Sequence, residues 1–197
     1  RGRAFANALD GVTLTAGAAQ NQLSEMRSYG NMAAGVSIWG SSNTITSCVV
    51  EGSTAVVVGA STGTVIENSR LESAAGSGLW LYGGSVNLTA RRNAVAASTA
   101  AFFIDHDNTG LISISSNTIE RGAWDGIFIA TQAYGAAIHI DSNTILATLS
   151  TLSIVSVATR PAEAKTATET LVCIRPLITL TGFSAVASAV IETAAAC

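Results

Sequence analysis

Six asparagines recur along the chain at intervals of 22 to 26 residues, and an aliphatic residue follows each of them by two or three positions. A repeat of this length is typical of solenoids, in which each unit buries its apolar face only by stacking on its neighbours. The spacing therefore constrains the fold more strongly than any other feature of the sequence. The repeated residues are Asn21, Asn43, Asn68, Asn93, Asn117 and Asn143.

The segments between these asparagines alternate with the period of two that a β-strand requires. The clearest begin with a small residue, as in 35–39, 78–82 and 126–130. Aliphatic pairs such as Leu79 and Leu81 must share one face, so the residues between them point outward. Three short strands in a turn of about 24 residues, with a rise of about 4.8 Å per turn, predict an all-β, single-stranded parallel β-helix.

Asparagine suits the corner of such a coil for two reasons. It tolerates the left-handed backbone conformation of a tight bend, and its side-chain amide can pair with the same amide one turn above. We therefore interpret the six repeated asparagines as one structural ladder.

The repeat does not extend through the whole chain. Its register is lost beyond Leu152 and Val155, and the remaining sequence is polar, then rich in alanine. Terminal repeats of solenoids are atypical because something must cover the last turn. We predict β-helix coils over residues 1–157 and an irregular C-terminal cap or tail of the same domain over 158–197. The opening residues 1–3 run straight into repeat-like sequence, which suggests a processed or excised piece.

Composition excludes several classes of partner. The chain is 48% hydrophobic and 12% charged, its formal net charge is −3, and it has no run rich in lysine or arginine. Nucleic acid and anionic membrane surfaces both require a basic footprint. No apolar run reaches the roughly 18 to 20 residues of a membrane span. The three cysteines lack the spacing of a metal site, and we expect no metal ion and no cofactor.

Segments 35–45 and 116–129 match a generic coil of known proteins. Through them the chain, over about residues 8–157, resembles right-handed β-helix proteins of the pectin-lyase-like superfamily. The resemblance implies a right-handed coil and an extracellular, virion-surface or cell-surface location. That superfamily includes polysaccharide lyases, glycoside hydrolases, epimerases, phage tailspikes and non-catalytic adhesins, so the resemblance points to sugar polymers without choosing a chemistry.

Aromatic residues are expected to line one outer face of the coil. The outward positions of the first strand of each turn should form one vertical row, and its middle is aromatic. A stripe of rings can bind the apolar faces of sugars along a polymer; alternatively the tail, a missing segment or a second subunit packs there. The row is Thr13, Ser37, Val57, Trp80, Phe103, Phe128 and Ser153, with Trp39 and Tyr82 on the neighbouring row. The predicted substrate-binding residues are Trp80, Tyr82, Phe103 and Phe128.

The densest polar cluster is Asp105-His106-Asp107, where a strand of the aromatic face enters its turn. A histidine flanked by carboxylates can act as a general acid or base. With the run that begins at Gly110, the cluster is faintly similar to alginate C5-epimerases, although the proline of their motif is absent. Arg91 is the candidate for neutralising a substrate carboxylate. The alternative is a solvated turn whose acidic residues cap the bend.

The sequence thus predicts the binding of an extracellular polysaccharide along one face of the β-helix. The sequence leaves open whether the protein also cleaves or epimerises this polymer, as a lyase, a glycoside hydrolase or an epimerase. The alternative is a non-catalytic structural or adhesive β-helix, such as a tailspike shaft or a surface-fibre segment, in which case a homotrimer is expected. No nucleic acid and no membrane is expected as a partner.

Overall fold

A computed structural model describes residues 2–122, 124–130, 136–146, 150–155, 178–181 and 184–185. These residues form 22 short β-strands in three parallel sheets. Successive strands belong to sheets I, II and III in turn, so three strands complete one coil, and partners one coil apart are separated by about 24 residues, as Arg3 and Arg27 are. The predicted all-β parallel β-helix is confirmed. Within the described residues there is no helix, and so none long and apolar enough to cross a membrane.

The strands of each sheet follow one another along the axis of the coil. Sheet I consists of β1 (Arg3–Phe5), β4 (Arg27–Tyr29), β7 (Val49–Gly52), β10 (Arg70–Ser73), β13 (Ala94–Ala97), β16 (Thr118–Gly122), β19 (Thr144–Ile145) and β22 (Ser184–Ala185). Sheet II consists of β2 (Val12–Leu14), β5 (Ala34–Ile38), β8 (Thr54–Gly59), β11 (Leu79–Tyr82), β14 (Phe102–Ile104), β17 (Asp125–Ala130) and β20 (Ser150–Val155). Sheet III consists of β3 (Gln22–Ser24), β6 (Thr44–Thr46), β9 (Thr62–Glu67), β12 (Val86–Arg91), β15 (Thr109–Ser115), β18 (Ala136–Asp141) and β21 (Ile178–Thr181).

Columns of aliphatic side chains fill the interior of the coil. Parallel pairing in register places equivalent residues of successive turns on top of one another, so each inward position becomes a column. In sheet I, Leu71 pairs with Val95 and Val95 with Ile119, and all three side chains are fully buried. Full burial of one such side chain contributes roughly 1.5–3 kcal/mol. Because each column gains contacts only from adjacent turns, the coil is held together by stacking.

Small residues begin the strands of sheet II because the corner from sheet I is crowded. A Cβ atom added to Gly35 would lie 2.6 Å from Val50 Cγ1, and one added to Gly78 would lie 2.2 Å from Val95 Cγ1. Both contacts are far shorter than van der Waals distance. The small residue that opens each repeat in the sequence therefore lets the chain turn closely over the core.

The asparagines form separate stacks at different corners instead of the single predicted ladder. Between sheets II and III, Asn21 Nδ2 donates to Asn43 Oδ1 at 3.0 Å. Between sheets III and I, Asn93 Nδ2 donates to Asn117 Oδ1 at 3.1 Å, and Asn117 Nδ2 donates to Asn143 Oδ1 at 3.0 Å. The similar spacing of all six residues arises because an asparagine precedes an aliphatic strand at two of the three corners.

Asn68 lies outside these stacks, which corrects the prediction for this residue. Its side chain is exposed and its backbone is left-handed, with φ 51°. The next residue, Ser69, is buried and takes the place in the stack, since its backbone N–H donates to Asn93 Oδ1 at 3.0 Å. A third pair, Asn7 and Asn31, stacks at the corner between sheets I and II, with 2.9 Å between Asn7 Nδ2 and Asn31 Oδ1.

The left-handed conformation belongs to the residue before each stacked asparagine and not to the asparagine itself. The preceding residue makes the bend, so that the asparagine itself can point inward and accept hydrogen bonds from the turn below. The left-handed residues are Gln20, Ser42, Arg92, Ser116 and Ser142, with φ between 53° and 58°.

The last two described strands, β21 and β22, continue sheets III and I. β21 pairs with β18, and β22 pairs with β19, in the same parallel sense as the preceding turns. The rest of the predicted C-terminal cap, 158–177 and 186–197 together with 182 and 183, lies outside the described residues.

Candidate functional site

The outer face of sheet II carries the aromatic row in the order expected from the sequence. Ser37 pairs with Val57, Val57 with Trp80, Trp80 with Phe103, and Phe103 with Phe128. Because side chains alternate across a strand, these residues point outward while their neighbours fill the core. At its two ends the backbone pairing places Thr13 beside Ser37 and Ser153 beside Phe128.

A second outward row runs beside the first. Tyr82 pairs with Gly59, and the N–H of Asp105 donates to the carbonyl of Leu81, which places Asp105 one turn above Tyr82. Trp39 lies on the other side of Gly59 in this row. Towards the C-terminal end of the coil the first row is aromatic, with Trp80, Phe103 and Phe128. Over the same turns the second row changes from the aromatic Tyr82 to the acidic Asp105.

Five rings on these two rows form one connected surface, which we call the aromatic face: Trp39, Trp80, Tyr82, Phe103 and Phe128. Trp80 and Phe103 are stacked, with 6.0 Å between centroids and 12° between planes. The other contacts are edge-to-face: Trp39 to Tyr82 at 6.3 Å, Trp80 to Tyr82 at 5.4 Å, and Phe103 to Phe128 at 5.1 Å. Pairs with these geometries are attractive, each by about 0.5–1.5 kcal/mol beyond burial, so the rings hold one another in place.

Trp39 packs one face of its indole against Gly59. A Cβ atom added to Gly59 would lie 2.4 Å from Cζ3 and 2.9 Å from both Cε3 and Cη2 of this ring. Distances this similar to three adjacent atoms indicate that the ring faces the glycine instead of touching it with an edge. Trp39 is only partly buried, so part of the indole is accessible to a ligand. Gly59 was not identified from the sequence as part of the site.

Asp105 joins the aromatic face to His106. Its Oδ1 lies 2.8 Å from His106 Nδ1 and accepts the backbone N–H of His106 at 2.8 Å, while Oδ2 accepts Trp80 Nε1–H at 3.3 Å. The hydrogen bond to Asp105, together with its negative charge, raises the pKa of His106. With Nδ1 bonded to the carboxylate, the proton of the neutral imidazole is assigned to Nδ1, which leaves Nε2 as an acceptor.

The imidazole edge that carries Nε2 is only partly enclosed. Asp107 Oδ2 lies 3.7 Å from Nε2, and the ring of Tyr82 packs edge-on at 5.6 Å. A Cβ atom added to Gly83 would lie 3.3 Å from Nε2, so the glycine allows this close approach. The Asp107 side chain is 68% exposed. The structure thus brings Asp105, His106 and Asp107 together beside Tyr82 and Trp80.

A buried asparagine fixes the turn that carries this cluster. Asn108 Nδ2 donates to the carbonyl of Asp105 at 2.7 Å, and its Oδ1 accepts the backbone N–H of Ser85 at 3.1 Å. The side chain is fully buried, and the bend just before it is made by Asp107, with φ 58°. The other stacked asparagines have the same arrangement. In the sequence, the signal for it was an asparagine one turn after Ser85, a serine that is buried in the structure. Sequence reasoning did not include Asn108 among the stacked asparagines.

The structure does not bring Arg91 to the cluster, which corrects its assignment to the site. Arg91 ends β12, whereas the turn of residues 105–108 lies near the start of that strand, since Gly84 N–H donates to the carbonyl of Asp107. The five steps from Val86 to Arg91 span about 16 Å at 3.3 Å per residue. Arg91 Nε instead bonds Glu67 Oε2 at 2.7 Å.

Asp125 is also distant from Asp105. It begins β17, and Ile104 pairs with Ile129 near the end of the same strand. A separation of five residues in extended chain is about 16 Å between Cα atoms. The paired carboxyl groups of glycoside hydrolases are about 5–9.5 Å apart. Asp105 and Asp125 are therefore poorly placed to act as such a pair.

A family model for the right-handed β-helix region matches residues 5–148. The chain belongs to the right-handed β-helix family. This membership establishes the handedness of the coil and is consistent with either polysaccharide binding or a structural role. A comparison with curated proteins finds no significant match, and neither does a comparison with solved structures.

Proposed function

We propose that the protein binds a polysaccharide along the aromatic face of sheet II. The observation that carries this proposal is the connected surface of five rings, in which Tyr82 is exposed and Trp39 is only partly buried. A pyranose ring has apolar C–H faces that pack on such a ring, while its hydroxyl groups require polar partners at the margin. Asp105, His106 and the hydroxyl of Tyr82 supply these partners at the edge of the same sheet.

The extent of the surface fits a polymer better than a single sugar. Trp39 and Phe128 are separated by four turns of the coil, which is about 19 Å at 4.8 Å per turn. The other two sheets differ in character. In the described residues the strands of sheet III contain no Phe, Trp or Tyr, and those of sheet I contain only Phe5 and Tyr29, in the first two turns.

The proposal is tested by measuring the affinity of the protein for a panel of neutral, acidic and basic polysaccharides, with affinity electrophoresis and calorimetry. Trp39→Ala should weaken binding by at least about tenfold, as expected for an aromatic anchor. Thr89→Ala, on the outer face of sheet III, is the matched control and should bind as the native protein does. Binding of a polysaccharide that is unaffected by Trp39→Ala would refute the assignment to this face.

Proton transfer is a second candidate function, favoured by the bond between Asp105 and His106 Nδ1. That bond fixes the imidazole with Nε2 directed away from the carboxylate, as a general base requires. Cleavage or epimerisation of the bound polymer is tested by mass spectrometry of products formed in heavy water. Shortened chains or deuterium incorporation by the native protein, and neither by His106→Ala, would support an enzyme. Identical products with both proteins, or none with either, would contradict it.

The structural alternative makes a different prediction about assembly. If the coil is a shaft, the aromatic face is an interface between copies, and the protein forms a stable trimer. Light scattering coupled to gel filtration measures this directly. A monomer that binds polysaccharide supports the proposal, whereas a trimer in which the three aromatic faces are buried contradicts it.

A further inference from the structure

Among the described residues, the charge beside the aromatic face is mainly acidic. Asp105 and Asp107 lie at its edge, and between them His106 is the one titratable cationic group of this turn. Even with His106 protonated, the three side chains sum to one negative charge. The carboxylate of Asp107 is exposed and lies 3.7 Å from His106 Nε2.

The arginines of the described residues lie on other surfaces. No arginine or lysine occurs in the described strands of sheet II. Arg27 pairs with Glu51 on sheet I, and Arg91 and Arg92 both pair with Glu67 at the corner between sheets III and I. These cations are therefore held away from the aromatic face by the coil and by their own acidic partners.

We infer that the polymer bound at the aromatic face is one of free amino sugars, with an ammonium group bound by Asp107 beside Tyr82. This inference rests on the proposed function and specifies its ligand. An ammonium group forms a charge-assisted hydrogen bond with a carboxylate, and aromatic rings such as that of Tyr82 attract cations. The carboxylate of a uronate would instead approach two like charges. The same edge therefore favours amino sugars, accepts neutral sugars less well and repels uronates.

Calorimetric titration of the full chain with three hexasaccharides tests the inference. The hexamers are those of glucosamine, of N-acetylglucosamine and of galacturonic acid, at neutral pH. We expect the glucosamine hexamer to bind at least tenfold more tightly than the N-acetylglucosamine hexamer, and more weakly as salt is raised. The galacturonic acid hexamer should bind most weakly.

Asp107→Asn provides the matched variant, because asparagine tolerates the left-handed backbone at this position and the side chain is exposed. It should reduce the affinity for the glucosamine hexamer to that for the acetylated hexamer and leave the latter unchanged. Glu72→Gln removes the same charge from sheet I and should change neither. Tighter binding of the galacturonic acid hexamer, or equal binding of glucosamine and N-acetylglucosamine, overturns the inference while leaving the aromatic face as a sugar site. Failure of every hexamer and of every polysaccharide of the panel overturns both proposals.

Discussion

Replacing Asn117 by alanine should destabilise the coil by about 2 to 6 kcal/mol. The side chain is 1% exposed and makes four hydrogen bonds, to Asn93 N and Nδ2, to Ala90 O and to Asn143 Oδ1. Two of these partners keep another bond, since Asn93 Nδ2 also donates to Ile66 O and Asn143 Oδ1 also accepts Asn117 N–H. The backbone N–H of Asn93 and the carbonyl of Ala90 each lose a partner in the interior. Each such loss costs about 1–3 kcal/mol.

Guanidinium unfolding, followed by circular dichroism and by tryptophan fluorescence, measures this change in the free energy of unfolding. Coincident transitions with the two probes show whether unfolding is cooperative, which a solenoid does not guarantee. Asn68→Gly is the control, because Asn68 has the same place in the sequence repeat but is exposed and left-handed, a conformation that glycine adopts freely. Its free energy of unfolding should change by less than about 1 kcal/mol. An equal loss in both variants, or a loss below about 1 kcal/mol for Asn117→Ala, would refute the division of the asparagines into stacked and exposed ones.

Two further variants test the corner and the site. Gly78→Ala places a methyl group 2.2 Å from Val95 Cγ1 and should lower the free energy of unfolding by about 1–3 kcal/mol in the same denaturation assay; an unchanged midpoint would show that the corner is not crowded. Asp105→Asn should lower the pKa of His106 towards its ordinary value of 6.5, which NMR titration of the imidazole measures directly. Because Asp105 raises that pKa in the folded state, the bond contributes stability that is complete below pH 6.5 and is lost as the pH rises through the raised pKa, so this part of the pH dependence should shrink in the variant. An unaltered His106 titration in Asp105→Asn would contradict the assigned hydrogen bond.

The coil and its aromatic row were predictable because they depend on periodicity alone. A repeat near 24 residues with alternating apolar positions leaves few folds available, and once the strands stack in register, the row through Trp80, Phe103 and Phe128 follows. The register needed no knowledge of the corners, since a row on one sheet involves only the strands of that sheet.

The corners were not predictable from the same pattern. An asparagine followed by an aliphatic residue occurs before strands of two different sheets. The nearly constant spacing therefore concealed that Asn43 precedes a strand of sheet III whereas Asn68 precedes a strand of sheet I. Which of two adjacent polar residues points inward depends on the residue that takes the left-handed bend, and both Asn68 and Ser69 suit either role. The sequence pattern gives no preference between them.

The residues that form the site could be predicted only in part from the sequence, for a related reason. Asp105, His106 and Asp107 are consecutive, so their proximity was certain, whereas the position of Arg91 depended on the length of β12. Gly59 and Gly83 have no side chain to attract notice, yet they make room for Trp39 and for the imidazole of His106. Their roles appear only when the neighbouring turns are placed on either side of them.

The most direct test of polysaccharide binding at the aromatic face is the location of a bound oligosaccharide, determined from a crystal structure of the protein with the tightest-binding hexamer of the calorimetric series. We expect a sugar ring within about 4 Å of the Trp39 indole, and further rings along the turns towards Tyr82 and Trp80, near Asp107. A hexamer bound against sheet I or sheet III, with the five rings of the aromatic face uncovered, would contradict it.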